Sequence, residues 1–237
     1  MFKSNVLILL AATFFTTATL AADHEGGGDA AAARAYIKEI MADDDAYMRA
    51  HNAKFFAALA KGQHPRATVV TCSDSRVHTN MLDKTPEGDL FMVRNIGNQL
   101  ATAKGSVQYG VNHLNSSLLL FIGHSACGAV KAAKGDYSTL ESDIKHELDT
   151  ITIAKDGEVI EGVKSNVNNQ VTDALEEFKE KVENGQLLIV GAVYDFANDM
   201  KQGAGKLNII NVNGETDTSK MLGMSTPTKN KHAHASH

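Results

Sequence analysis

The sequence predicts an α/β fold: a mainly parallel four-stranded sheet with a fifth edge strand, helices on both faces and an N-terminal helical arm. Three observations carry this expectation. Five short runs rich in β-branched and other apolar residues recur along the chain. Stretches with helical spacing separate them, and such alternation is the pattern of parallel strands joined by crossovers. Ahead of the first run lies a long Ala-rich segment with apolar residues at helical spacing and no strand signal. At 237 residues the chain is long enough for one sizeable core.

Taken in order, residues 1–22 read as a secretory signal. Lys3 supplies the positive start, Val6 to Phe15 the apolar stretch, and Thr19-Leu20-Ala21-Ala22 a small-residue cleavage zone. A spanning helix needs about 20 strongly apolar residues, and this run is shorter, so no stable membrane anchor is expected after cleavage. The expected destination is the periplasm or the exterior. Residues 23–29, with three consecutive glycines, form a flexible leader. Residues 30–215 are expected to form a single domain.

From Ala30 to about Lys61, Met41, Tyr47, Met48, Phe55, Phe56 and Leu59 are spaced for helices. Asp43-Asp44-Asp45 is read as a break, with an acid capping the second helix; one bent helix is the alternative. Ala67–Thr71 and Asp89–Arg94 are strands, the second entered through a Pro86-Glu87-Gly88 turn. Thr102 to Leu114 is helical, followed by a strand over Leu118–Ile122 and a helix from about Ala126 to Lys134. Ser138–Ile153 and Asn166–Glu183 read as amphipathic helices, Leu187–Tyr194 and Lys206–Val212 as the last strands. Residues 216–237 form a polar tail ending in three spaced histidines, which could take up a stray divalent metal or buffer protons; a tail without a role is the plainer reading.

With 43% hydrophobic and 22% charged residues and a formal charge of −5, the composition is that of an ordinary globular protein, without the basic face a nucleic-acid binder shows. The chemistry concentrates in two stretches. Val69 to Arg76 reads V-V-T-C-S-D-S-R, and Gly123 to Gly128 reads G-H-S-A-C-G. They contain the only two cysteines, Cys72 and Cys127, together with Asp74, Arg76 and His124. Zinc takes S, N and O donors in fours, so two thiols, an imidazole and a carboxylate make a plausible set. In an exported protein a lone cysteine pair also reads as a disulfide, and spacing alone leaves both open.

Sites in parallel sheets form outside the carboxyl ends of the strands, where Cys72 follows the first strand and His124 the third. With Cys72, His124 and Cys127 holding zinc, the fourth position falls to Asp74 or to water. A guanidinium gripping Asp74 by two hydrogen bonds keeps it off the metal, ready to take a proton from a water acidified by zinc to a pKa of about 7. The plainer reading of Asp74 and Arg76 is a surface pair.

Together these residues resemble the β-class carbonic anhydrases. Cys72-Ser73-Asp74-Ser75-Arg76 is similar to the family's C-x-D-x-R, and His124-Ser125-Ala126-Cys127-Gly128 to its H-x-x-C-G. Val93-Arg94-Asn95-Ile96-Gly97-Asn98, Gly105 to Tyr109, Asn166-Val167 with Gln170-Val171, and Val193-Tyr194-Asp195 extend the likeness over about Ala50 to Val212. The resemblance implies reversible hydration of CO2 to bicarbonate and a proton by zinc-bound hydroxide. It implies zinc held by Cys72, His124 and Cys127, with Asp74 and Arg76 as the catalytic dyad and Asp74 a fourth ligand in a closed form. It implies Gln63 bonding water or bicarbonate, Phe91, Ile96 and Tyr109 as an apolar pocket, and the Gly128 N–H facing substrate. It also implies at least a homodimer, because several of these groups reach across a subunit interface in the family; by themselves Phe91, Ile96 and Tyr109 read as core.

Two departures matter. His78-Thr79 stands where many members carry Pro-acid, and the chain lacks the tryptophan that the bicarbonate-inhibited subgroup places before its first zinc cysteine. The second departure favours the plant-like subgroup with an open metal. His64 and His78 lie near enough to relay a proton, although a solvated histidine is the plainer reading of each. Competing functions are hydrolysis of CO2-like molecules such as CS2 or COS on the same scaffold, and a non-catalytic binding protein held by a Cys72–Cys127 disulfide.

Overall fold

In the computed structural model the described residues are 29–217 and Lys220. The expected signal segment, nearly all of the leader and most of the polar tail lie outside them. Two compact units are distinguished, one ending at Ala53 and one beginning at Lys54. The first is dominated by α1 (Ala30–Ala50), capped at its start by the Asp29 carboxylate, which accepts from the Ala31 N–H at 2.8 Å. The helix continues through Asp43-Asp44-Asp45, where a break was expected, and stops at His51, which is extended. Exposed aspartates cost a helix interior only tenths of a kcal/mol each, and this stretch has no Gly or Pro to break it. None of its residues is buried, and Tyr36, Ile37, Ile40, Met41 and Met48 are exposed. Among the described residues no helix is long and apolar enough to cross a membrane.

The second unit begins within α2 (Ala53–Leu59) and carries the sheet. Its strands are β1 (Ala67–Cys72), β2 (Leu90–Asn95), β3 (Leu118–His124), β4 (Leu188–Asp195) and β5 (Lys206–Val212). Their order is β2-β1-β3-β4-β5, parallel throughout except for the antiparallel edge pair β4–β5. Every residue of β1 is buried, as is all of β3 after Leu118. That is why both strands read as continuous apolar runs: parallel strands are covered on two faces. The strand order reverses between β1 and β3, the position at which open α/β sheets place their sites.

One face carries the helices α3 (Lys104–Gln108), α4 (Gly128–Lys134), α5 (Ser142–Leu148) and α6 (Val159–Glu177). Val107 of α3 and Val171 and Ala174 of α6 pack with Val70, Leu119, Phe121 and Ile189 of the strands. Burying each such side chain contributes about 1.5–3 kcal/mol. Glycines bring α6 close. A Cβ at Gly123 of β3 would lie 2.7 Å from Val163, and one at Gly191 of β4 2.7 Å from Val167. On the opposite face the 3₁₀ turn Thr79–Met81 and Leu82 pack with Val69, Leu120, Ile122 and Val190.

Further helix boundaries differ from the sequence expectation. The segment expected as one helix over Thr102 to Leu114 is a 3₁₀ turn (Ala101–Ala103), α3, and a π-helical turn (Tyr109–His113). Of Ser138–Ile153 only α5 is helical. After it Thr150 donates to Gln99 Oε1 at 3.1 Å and Ile151 is buried, so side-chain partners draw the chain off the helix axis. The stretch expected over Asn166–Glu183 starts seven residues earlier as α6 and breaks at Phe178, whose ring is buried, before α7 (Lys179–Glu183).

Candidate metal centre

Cys72 ends β1 and His124 ends β3, its neighbour in the sheet. Cys127 follows after a turn in which Ala126 adopts φ 51 and Cys127 is extended, so the helix expected from Ala126 starts at Gly128. A left-handed alanine costs about 1–2 kcal/mol, and it turns Cys127 back toward the strand ends. The result brings the two Sγ atoms and a ring nitrogen of His124 within 4.8 Å of one another, all three residues buried. A tetrahedral ion with bonds of about 2.0–2.3 Å fits between donors spaced this way. The cysteines are free thiols, not a disulfide.

The donors are prepared for a cation. His124 Nδ1 bonds the Ser125 carbonyl at 2.9 Å, which makes it the protonated nitrogen and leaves the Nε2 lone pair facing inward. Nε2 is buried and has no hydrogen-bond partner. Leaving such an atom unpaired costs about 1–3 kcal/mol unless something else binds it. The S–H of Cys127 hydrogen-bonds Cys72, and with the N–H groups of Gly97 and Asp74 it brings the Cys72 thiol down against the cost of burial. The Cys127 thiol is pushed up, first by its bond to Cys72, then by burial and by the charge Cys72 carries once ionised. The two thiols thus pull each other's ionisation in opposite directions, Cys72 down and Cys127 up.

Asp74 and Arg76 lie beside this pocket in a different environment. Arg76 Nε donates to Asp74 Oδ1 at 2.8 Å and Nη2 to Oδ2 at 2.7 Å, a two-pronged grip, and the Arg76 backbone N–H adds 3.0 Å to Oδ1. The grip by the Arg76 side chain holds the Asp74 carboxyl well below the usual carboxylate range. Asp74 Oδ2 stands 3.8 Å from His124 Nε2. The loop is fixed from β2, where Arg94 Nη2 donates to the Asp74 carbonyl at 2.7 Å and the Asn95 carbonyl accepts from the Ser73 N–H at 2.9 Å.

Of the remaining sequence candidates, the fold brings two to the site. Ile96 follows β2 on the same rim and packs in the apolar cluster that contains Cys72 and Cys127. Gly128 is next to Cys127 and open to solvent. Phe91 and Tyr109 lie elsewhere in this chain. Their rings are 5.9 Å apart, but Phe91 pairs with Thr68, four residues before Cys72, or about 13 Å along the strand. Gln63 is in the exposed segment leading into β1, at the opposite end of that strand from Cys72. His64 and His78 are exposed.

Phe196, which the sequence did not single out, and Asp195 and Ser125, quoted there only within the stretches of family likeness, complete the surroundings. Phe196, just past β4, stacks its ring on His124 at 5.9 Å between centroids, and Arg76 Cζ lies 4.7 Å from its centroid. Asp195 is fully buried and accepts from Ser125 Oγ at 2.6 Å and from the Asp199 and Met200 N–H groups at 2.9 and 2.7 Å. Burial pushes its carboxyl up, yet these donors outweigh that and hold it below the usual range. Ser125 thereby links Asp195 to the carbonyl that orients His124.

A carbonic anhydrase family model matches residues 67–201, which hold both cysteines, the histidine and the acid–arginine pair. The chain belongs to this family, in its β class. Among curated relatives, a carbonic anhydrase of Synechococcus elongatus is 40% identical over 93 residues, covering 36% of this chain and 34% of the relative. Carbonic anhydrase 2 of Mycobacterium tuberculosis is 44% identical over 78 residues, covering 32% of this chain and 38% of the relative. The aligned stretches thus span little more than a third of these relatives. Among solved structures, a β-carbonic anhydrase from Sordaria macrospora, described as tetrameric, aligns with a TM-score of 0.62 at 25% identity, covering 76% of this chain and 97% of that one.

Proposed function

We propose that this protein is a zinc-dependent carbonic anhydrase, catalysing reversible hydration of CO2 to bicarbonate and a proton. The observation that carries the reading is the buried, unpartnered His124 Nε2 clustered with two thiols beside an arginine-held carboxylate. Cys72, His124 and Cys127 hold the ion; two thiolates and a neutral imidazole balance its charge. Zinc supplies Lewis acidity there, the property that brings the pKa of a water from 15.7 to about 7.

The chain's own groups supply the rest. Asp74 Oδ2 takes the proton of the attacking water, and Arg76 keeps the carboxylate ionised and off the metal. Because Arg76 is half exposed, the proton has a short way to solvent. Ile96 gives the small apolar substrate a dry wall, and the Gly128 N–H receives the bicarbonate anion. Phe91, Tyr109 and Gln63 complete the pocket from a second copy of the chain; the position of Phe91 opposite Thr68, four residues before Cys72, supports this. The exposed apolar residues of α1 and the tetrameric relative support a homodimer or larger assembly. The missing tryptophan supports the plant-like, open-metal form, and the apolar N-terminal segment supports export to the periplasm or beyond.

The test is Asp74→Ala in the zinc-loaded protein, followed by stopped-flow CO2 hydration. Turnover is expected to fall by about 10²–10⁴ with zinc retained, and unchanged turnover rejects the assigned role. Parallel assays with CS2 and COS separate CO2 hydration from hydrolysis of its analogues.

A further inference from the structure

We propose that Phe196 is a positioning residue whose ring face holds the Arg76 guanidinium in the orientation that keeps Asp74 off the metal. The inference rests on the reading of Asp74 and Arg76 given above. The question it answers is what holds the arginine. Arg76 is bound to Asp74 by the two-pronged grip, but its side chain is 50% exposed, and its other hydrogen bond, to the Ala126 carbonyl, is long at 3.4 Å. An arginine held only by its carboxylate would move with it and restrain nothing.

The aromatic face supplies the missing fixed point. Arg76 Cζ lies 4.7 Å from the Phe196 centroid, within cation–π range. The same ring stacks on His124, with centroids 5.9 Å apart and planes at 27°, and meets Tyr194 edge-on at 5.6 Å. One ring therefore touches both a metal-holding imidazole and the group that tethers the acid. The ring is itself anchored, because the residue before it is the buried Asp195, whose bonds to Ser125, Asp199 and Met200 fold the following turn back on the strand end.

The restraint matters because the alternative is close. Asp74 Oδ2 is 3.8 Å from His124 Nε2, so a small rotation carries the carboxylate to the ion that nitrogen binds. A carboxylate on the metal occupies the position that an incoming anion needs. Cation–π contacts of this kind shift a two-state balance by about 3- to 30-fold, which caps the expected effect.

The experiment uses the full-length, cobalt-substituted protein, with azide affinity read from the visible absorption of cobalt and metal content from elemental analysis. Phe196→Ala is expected to bind azide more weakly, by at most about 30-fold, with its metal retained. Phe196→Leu, which keeps apolar volume without an aromatic face, is expected to move in the same direction, and Phe196→Tyr to stay within about twofold of the parent. Combined with Asp74→Ala, the Phe196→Ala change is expected to have no effect, since no carboxylate is left to release. Should Phe196→Ala fail to fold, the leucine variant carries the comparison. Parent-like azide binding in the leucine variant overturns the proposal, as does weakening that persists without Asp74. The underlying dyad reading fails on a different measurement, unchanged CO2 hydration in Asp74→Ala alone.

Discussion

Two halves of the site lie side by side and obey opposite physics. Cys72, His124 and Cys127 are at most 7% exposed and rest on strand ends or their adjoining turn. Asp74 and Arg76 ride on the loop after β1, with Arg76 half exposed. The buried half carries an unpartnered donor, His124 Nε2, beside two thiols, a set that suits a cation. The exposed half is stable by itself as an ion pair and needs only to be aimed. If the two halves hold metal and move protons as proposed, the comparison teaches that those two properties can be altered separately.

His124→Ala should have the largest effect. Metal content is expected to fall to near zero and CO2 hydration by at least about 10³-fold; a variant that keeps its metal would break the division at its root. Next comes Arg76→Ala, expected to retain zinc while lowering turnover about 10- to 100-fold, with equal metal analysis in the two proteins as the check. Loss of metal in that variant would mean the two halves are not separable.

Acid stability gives a smaller effect with a defined sign. Since the Asp74 carboxyl lies below its usual range when folded, its ionisation stabilises the fold above the unfolded value of about 3.9. That stabilisation is lost as pH falls through the folded value. The stability difference between the parent and Asp74→Asn should therefore be constant at neutral pH and vanish in strong acid. With Arg76 so exposed, it should stay under about 1 kcal/mol in denaturant titrations. Smallest of all is Lys164→Ala, which removes a surface pair with Glu161; a shift within about 0.5 kcal/mol is expected.

β1 and β3 were readable because strands buried on two faces leave continuous apolar runs, and both were found within a residue or two of their observed ends. The candidate metal set comes together for a topological reason: a parallel sheet puts the carboxyl ends of β1 and β3 on one rim. Helix ends were not readable, because Thr150, Ile151 and Phe178 follow tertiary partners that no local period encodes. Phe196 escaped notice for the same reason. Its one available signal was position, one residue past β4 on the rim already carrying His124, next to the Tyr194-Asp195 pair that the family likeness marked.

The glycine notches under α6 have a consequence for anyone re-engineering this protein. Swapping glycine for alanine is a standard route to higher melting temperature where the backbone allows it, and Gly123 and Gly191 lie in strands without left-handed backbone, Gly191 at a register shift in the β4–β5 pairing. Here a methyl at either position would wedge the helix away from the sheet. Gly123 adjoins His124, so a change chosen for heat resistance would show up first as an enzyme slow to load its ion.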